Sequence, residues 1–288
     1  VLFFSQNIEY EQNDFRDDVS MINDGIVVIR GGGDIATGTI CRLHHCGYKL
    51  LVLETKNPTA IRRTVSLSEA VYDGIQTVEG VTTELIKTSK DCRAIWAKNR
   101  VPLLIDPTAD CLSKINPIAL VDAILAKKNC GTTKNMAPIT IGLGPGFIGG
   151  KDVHAVIETA RGHQLGRVIY NGAPLANTGI PGIIEGYAKE RVLYAPASGT
   201  IEVLQDIGKQ VTRGDLVARI DNNEVVAPLT GLVRGMIRNQ TTVTEGFKIG
   251  DIDPRITEEG NCYSISDKAR CISGGVLEAL LFLSRTTS

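Results

Sequence analysis

Aromatic residues are scarce in this 288-residue sequence, at 5 % of positions, so the stacking platforms that hold single-stranded nucleic acid are not expected. Neither sign of charge dominates. The 31 Lys and Arg face 32 Asp and Glu, for a formal net charge of -1, which excludes a global pull toward nucleic acid or a membrane surface. No run approaches the roughly 18 apolar residues that a membrane-crossing helix requires. The N-terminus lacks the basic flank and apolar core of a secretory signal. Cys41, Cys46, Cys92, Cys111, Cys130, Cys262 and Cys271 are odd in number and never spaced C-x2-C. That argues against a disulfide framework or a zinc knuckle and for reduced thiols in a cytoplasmic protein. G-x-S-x-G, the Walker lysine and H-E-x-x-H are missing as well.

What is present reads as two folded units, since the length allows each to bury its own core. Residues 1–23 are expected to be a flexible extension, because they turn polar and acidic before the first apolar strand. Gly25–Arg30 is a short apolar run of the kind that forms a buried parallel strand, followed by a glycine turn, a helical stretch to His45 and a second strand at Lys49–Glu54. Further strands are expected at Val101–Ile105, Ile139–Leu143 and Arg167–Tyr170, with helices at Ile118–Lys128 and Val153–Ala160. The alternation predicts an α/β Rossmann-like, doubly wound parallel sheet over residues 24–190.

From Gly186 the helical period disappears and an internal repeat takes over. Ala195-Pro196-x-x-Gly199 recurs as Ala227-Pro228-x-x-Gly231, and Val211-Thr212-x-Gly214 as Val243-Thr244-x-Gly246, each 32 positions on. The pattern resembles the half-motifs of a biotinyl/lipoyl-like barrel-sandwich domain over residues 191–250. The hairpin between the halves, Asp221-Asn222-Asn223-Glu224, lacks the modifiable lysine of such carriers. Residues 251–288 are expected to be a helical tail, weakened at Gly274-Gly275 by about 1 kcal/mol per glycine.

Three segments carry candidate chemistry. Gly31-Gly32-Gly33-Asp34-Ile35-Ala36-Thr37 follows a strand and opens a helix, the context in which backbone amides and the helix dipole receive a phosphate. Glu54, ending the second strand, stands where an acid meets a ribose diol. Asp34 is out of keeping with an anion loop unless it ligates a cation or caps the helix. Arg62 and Arg63 lie beyond the second strand and suit a phosphate of a ligand, and Asp106 stands at the carboxyl end of a third. The second glycine loop, Gly142 to Gly150 with Gly144 and Gly146 at its turn, forms a further expected anion cradle. Asp152, His154, Arg161 and His163 follow it, with Glu158 four residues after His154. A helix would place that pair on one face, but no third ligand completes a metal site, so no metal is expected. Cys262 is the best candidate for an exposed, reactive thiol, with burial as a small hydrophobe its alternative.

Ile29–Gly38, Pro58–Val65, Gly142–Phe147, Asp152–His163 and Ile265–Arg270 together resemble the YqeB-type accessory family of the selenium-dependent molybdenum hydroxylase system. The resemblance implies a protein that matures such a hydroxylase; its glycine loops are then expected to hold a nucleotide or a molybdopterin-type phosphorylated cofactor, and its barrel-sandwich domain to dock the client enzyme. It assigns no catalytic residue, leaves open whether the chain is an enzyme, and leaves its oligomeric state open. Two rival readings stand beside it: an NAD(P)-dependent oxidoreductase and a non-catalytic ligand-binding scaffold.

Overall fold

The computed structural model describes residues 25–177, 179, 182 and 184–286; the extension expected over residues 1–23 lies outside them. Along the chain come β1 (Ile26–Arg30), α1 (Asp34–His45), β2 (Lys49–Glu54), α2 (Ala70–Asp73), β3 (Ile75–Val78), β4 (Val81–Ile86) and α3 (Cys92–Trp96). They are followed by β5 (Val101–Ile105), α4 (Leu112–Ile115), β6 (Ala119–Asp122), β7 (Ile139–Leu143), β8 (Ala155–Ile157) and β9 (Val168–Ile169). These strands form one nine-stranded sheet in the order β3-β4-β5-β2-β1-β6-β7-β8-β9. The inner neighbours from β4 to β8 run parallel, while β3 and β9 pair antiparallel at the two edges.

This sheet is mixed and lacks the regular helical crossovers of a doubly wound fold. Where a helix was expected at Ile118–Lys128, the chain makes β6 and then a loop in which Leu125 and Lys127 take φ of 59° and 62°. Where one was expected at Val153–Ala160, it makes β8 beside β7. The parts that form strands, Ala119–Asp122 and Ala155–Ile157, are short and wholly buried, and over such lengths an apolar run fits a buried strand as well as a helix. The β-branched residues Val153, Val156 and Ile157 favour the strand.

One face of the sheet is covered by α1 and the terminal helix α5 (Asp267–Thr286). Ile40 and Leu43 of α1 share a core with Ala269, Ile272, Val276 and Leu280 of α5 and with Ile29 and Ile141 of the sheet. The glycine pair does not break α5. Gly275 packs directly on the Gly166 carbonyl, where a Cβ would come to 2.1 Å, so the missing side chain permits the contact.

The remaining strands are β10 (Val192–Tyr194), β11 (Gly199–Val203), β12 (Gln210–Val211), β13 (Leu216–Ile220), β14 (Asn223–Val226), β15 (Gly231–Met236), β16 (Thr242–Val243) and β17 (Lys248–Asp253). They form two four-stranded antiparallel sheets, β10-β17-β15-β12 and β14-β13-β11-β16. β11, β12 and β13 begin at residues 199, 210 and 216, and β15, β16 and β17 at 231, 242 and 248. The repeat therefore builds equivalent strands, and equivalents occupy matching places in the two sheets around a shared core that includes Ile201, Val217, Val233 and Ile252. The architecture is a large mixed sheet joined to two antiparallel sheets. It corrects the expected Rossmann-like sheet with a barrel-sandwich.

Candidate functional site

The carboxyl ends of β1, β2, β6, β7 and β8 and the loops after them form one rim, where open α/β sheets present their ligand-binding surfaces. The first glycine turn leaves β1 with Gly31 at φ +94°. Two of its amides are met by the protein's own acids. Gly32 N–H donates to Glu54 Oε1 at 2.9 Å, and Ile35 N–H to Asp34 Oδ1 at 2.9 Å. Thr37 Oγ1 donates to the Gly33 carbonyl at 2.9 Å and accepts the Leu67 amide at 3.0 Å, tying the helix start to the chain beyond β2. A cavity of about 440 Å³ opens over this turn, lined among others by Gly31, Gly33, Ala36, Asp34, Glu54 and Asp106. Its nearest cation, Arg30, is 4 % exposed and engaged with Asp122 at 3.4 Å and the Pro107 carbonyl at 2.8 Å. Three carboxylates around one committed cation make a poor setting for phosphate. Asp34 does not cap the helix: Gly33 holds that position, and Asp34 Oδ2 lies 3.7 Å from Arg62.

Asp106 is held in its own turn, accepting the amides of Asp110 at 3.0 Å and Cys111 at 2.9 Å. Burial raises the Asp106 carboxyl's affinity for a proton, but the hydrogen bonds led by the Cys111 amide outweigh it and hold the pKa below the usual carboxylate value.

The second glycine loop is closed rather than cradling. A Cβ on Gly144 would strike Thr159 Oγ1, and one on Gly146 would come to 2.7 Å from the Lys128 backbone. Asp152 closes a local turn by accepting the Ile148 amide at 2.9 Å. His154 turns to the opposite end of the sheet, where its Nδ1 lies 3.0 Å from the Thr140 amide nitrogen. Burial, aided by Lys134, lowers its pKa. Glu158 is 2 % exposed and accepts the amides of Thr159 and Leu175, both at 2.7 Å. Because the residues between them form strand β8, His154 and Glu158 do not make the pair that a helix would have made. His163 is exposed. Cys262 is 1 % exposed, with its thiol pKa raised chiefly by burial, so it stands as a packed hydrophobe. Among the described residues, no group of three or more His, Cys, Asp or Glu is placed to hold a metal ion.

Arg62 and Arg63 part company. Arg63 donates from Nε to the Met236 carbonyl at 2.8 Å and from Nη2 to Asp206 at 2.5 Å, fastening the large sheet's rim to the antiparallel sheets. Arg62 turns into a second cavity of about 540 Å³, whose walls carry Arg62, Arg161, Arg191, Arg234 and Arg255 against the acids Glu185 and Asp267. Arg161 pairs with Asp267 at 2.8 Å. Strand β17 supplies the acids behind the cavity. Its odd-numbered positions share one face, which sets Asp251 and Asp253 side by side. Asp251 meets Arg191 at 3.0 Å, Arg234 at 3.5 Å and Lys248 at 3.6 Å, while Asp253 meets Arg255 at 2.6 Å. Burial acts to raise the Asp251 pKa, but Lys248, Arg234 and Arg191 more than reverse it and leave the carboxyl below its ordinary value.

Arg62 is the least compensated of these cations. It is 6 % exposed and spends Nη2 on the carbonyls of Asn261 at 2.8 Å and Ser264 at 2.9 Å. Its Nε has no acceptor, as Asp251 Oδ1 has no donor. Burial, and then the neighbouring charge of Arg234, lower its pKa. Sequence reading picked out Arg62 and Arg161 but passed over Arg191, Arg234 and Arg255. The available signal was charge inside a strand: Asp251 and Asp253 interrupt an apolar run that ends at Arg255.

No family model matches the chain. It is 52 % identical over 258 residues, 90 % of its length, to the Uncharacterized protein YqeB of Escherichia coli K12, and it spans 48 % of that protein. The similarity supports a YqeB-type protein. Among solved structures, the product-bound ectoine utilization protein EutE (DoeB) of Ruegeria pomeroyi is 11 % identical with a TM-score of 0.26, covering 80 % of this chain and 85 % of that one. A succinylglutamate desuccinylase/aspartoacylase of Rhodobacter sphaeroides is 14 % identical with a TM-score of 0.26 over the same shares. A succinylglutamate desuccinylase of Silicibacter sp. TM1040 reaches 11 % and 0.24. With the glycine turn met by Glu54 and Asp34, the expected hydroxylase-maturation role and its nucleotide or molybdopterin-type ligand are withdrawn. The NAD(P)-dependent oxidoreductase reading, which was built on that turn, is withdrawn with them. No described helix is long and apolar enough to cross a membrane.

Proposed function

We propose that the chain binds a small organic molecule carrying at least two acid groups, carboxylate or phosphate, in the cavity walled by Arg62 and Arg234. The observation that carries this is the buried, acceptor-less Nε of Arg62 beside a second arginine. An unpaired buried donor on a cation is expensive. Two guanidinium groups set near one another in a buried wall gain most from an anion that each can grip with paired donors. The cavity of about 540 Å³ is large enough for such a ligand and too polar for an apolar one. The acids of β17 hold the arginine heads in place before the ligand arrives, so little ordering is left for binding itself.

Calorimetric titration with glutarate, citrate and glycerol 3-phosphate tests the reading. At least one binds, and Arg62→Met or Arg234→Met lowers its affinity roughly 10- to 100-fold, the loss of one charge-assisted hydrogen bond of about 1.5–3 kcal/mol. Affinity unchanged in both variants, or no binding by any of the three, would overturn it.

A further inference from the structure

We infer that Lys268 is a carbonyl-capturing amine: the anion held by the arginines carries an aldehyde or ketone that condenses with Lys268 Nζ. This rests on the arginine cavity being the seat of the ligand's acid group. Lys268 is the second residue of α5 and lines a third cavity of about 400 Å³, whose walls include Leu125, Leu143, Pro145 and Leu175. That cavity adjoins the arginine cavity, since Arg161 and Gly182 line both. A molecule gripped through its acid group on one side can therefore present its other end to the amine.

The surroundings suit a nucleophile better than a structural cation. Among the described residues, Nζ makes no hydrogen bond and has no acid within ion-pair distance. The acids near it are committed elsewhere: Asp267 to Arg161, Asp34 to Arg62, and Glu158 to the amides of Thr159, Ala160 and Leu175. A lysine in the first turn also opposes the helix dipole. Burial first, and then Arg161, lower the Lys268 pKa against the opposing pull of Asp34, Glu158 and Asp267, which enlarges the share of neutral amine at neutral pH. Leu125 and Lys127, on the wall of the same cavity, are held at φ of 59° and 62°, and backbone strain of this kind gathers at ligand sites.

The chemistry needs no outside reagent. The Nζ lone pair attacks the carbonyl carbon, the carbonyl oxygen takes up the amine's proton to give a carbinolamine, and loss of water leaves the imine. Water reverses every step.

The test is borohydride trapping with 2-oxoglutarate and with succinic semialdehyde, read by intact mass and peptide mapping. One stoichiometric adduct is expected on the peptide containing Lys268, absent in Lys268→Arg and Lys268→Met and at least tenfold weaker in Arg62→Met. Thermal melts of both lysine variants establish that they are folded. Absence of an adduct from both probes, or scattered surface labelling unchanged in Lys268→Arg, overturns the inference. Glutarate, which lacks the carbonyl, separates it from the reading beneath: glutarate binding without trapping of either probe sinks Lys268 alone, whereas trapping at full strength in Arg62→Met sinks the arginine cavity alone.

Discussion

Glu54 closes the first glycine turn: its Oε1 accepts the Gly32 amide at 2.9 Å while its Oε2 accepts the Thr55 amide at 2.6 Å. A carboxylate of the protein takes an amide that was expected to face a phosphate. Glu54→Ala leaves the Gly32 amide without its partner and is expected to cost about 1–3 kcal/mol. Urea denaturation at pH 7 checks this, and a loss below a few tenths would show that water replaces the acid freely.

The glycine pair of α5 separates conformational freedom from close approach. Gly274 has open space where a Cβ would go, while Gly275 abuts the Gly166 carbonyl. Gly274→Ala should stabilise the protein by about 0.5–1 kcal/mol. Gly275→Ala should destabilise it by about 1–3 kcal/mol through overpacking. Denaturant midpoints of the two variants moving in the same direction would contradict this packing.

Acid should act on the arginine wall through β17. The Asp251 carboxyl is depressed below its ordinary value, so its contribution is whole above the unfolded pKa of about 3.9 and declines as pH falls through the lower folded value. Asp251→Asn removes that contribution at every pH and is expected to cost about 3–5 kcal/mol at pH 7, because Arg191 loses its buried partner. The difference in stability between wild type and variant should narrow below pH 4. A difference constant from pH 7 to pH 3 would count against it.

Thiol chemistry should follow burial. Cys46, Cys130 and Cys271 are exposed, whereas Cys41, Cys92, Cys111 and Cys262 are buried. Burial pushes the Cys41 thiol up to about 12 and the Cys92 thiol up to about 11. Burial, aided by Asp106, takes the Cys111 thiol to about 12. An Ellman titration of the native protein at pH 8 should therefore count three thiols promptly and the other four only after denaturation. Prompt reaction of Cys262 would restore the reactive-thiol reading.

The sequence showed local structure well where one physical signal ruled. β1, α1, β2, β5 and β7 lie where apolar runs and the glycine turn put them, and the 32-residue repeat reappears as strands at 199 and 231, 210 and 242, and 216 and 248. It misled at Ile118–Lys128 and Val153–Ala160, where the short, wholly buried strands Ala119–Asp122 and Ala155–Ile157 show no period that tells a strand from a helix. The arginine wall was barely legible. Arg62, Arg161, Arg191, Arg234 and Arg255 come from five separate segments, and each alone looks like a solvated charge. Only the fold brings them to one cavity.

The central claim is that the arginine wall, not the glycine turn, receives the anion. Anomalous diffraction from crystals soaked in tungstate at pH 7.5 tests it most directly. The expected peak lies between Arg62 and Arg234 and vanishes in Arg234→Met. A peak over Gly31–Ala36, or an empty arginine cavity beside occupied sites elsewhere, would contradict the account.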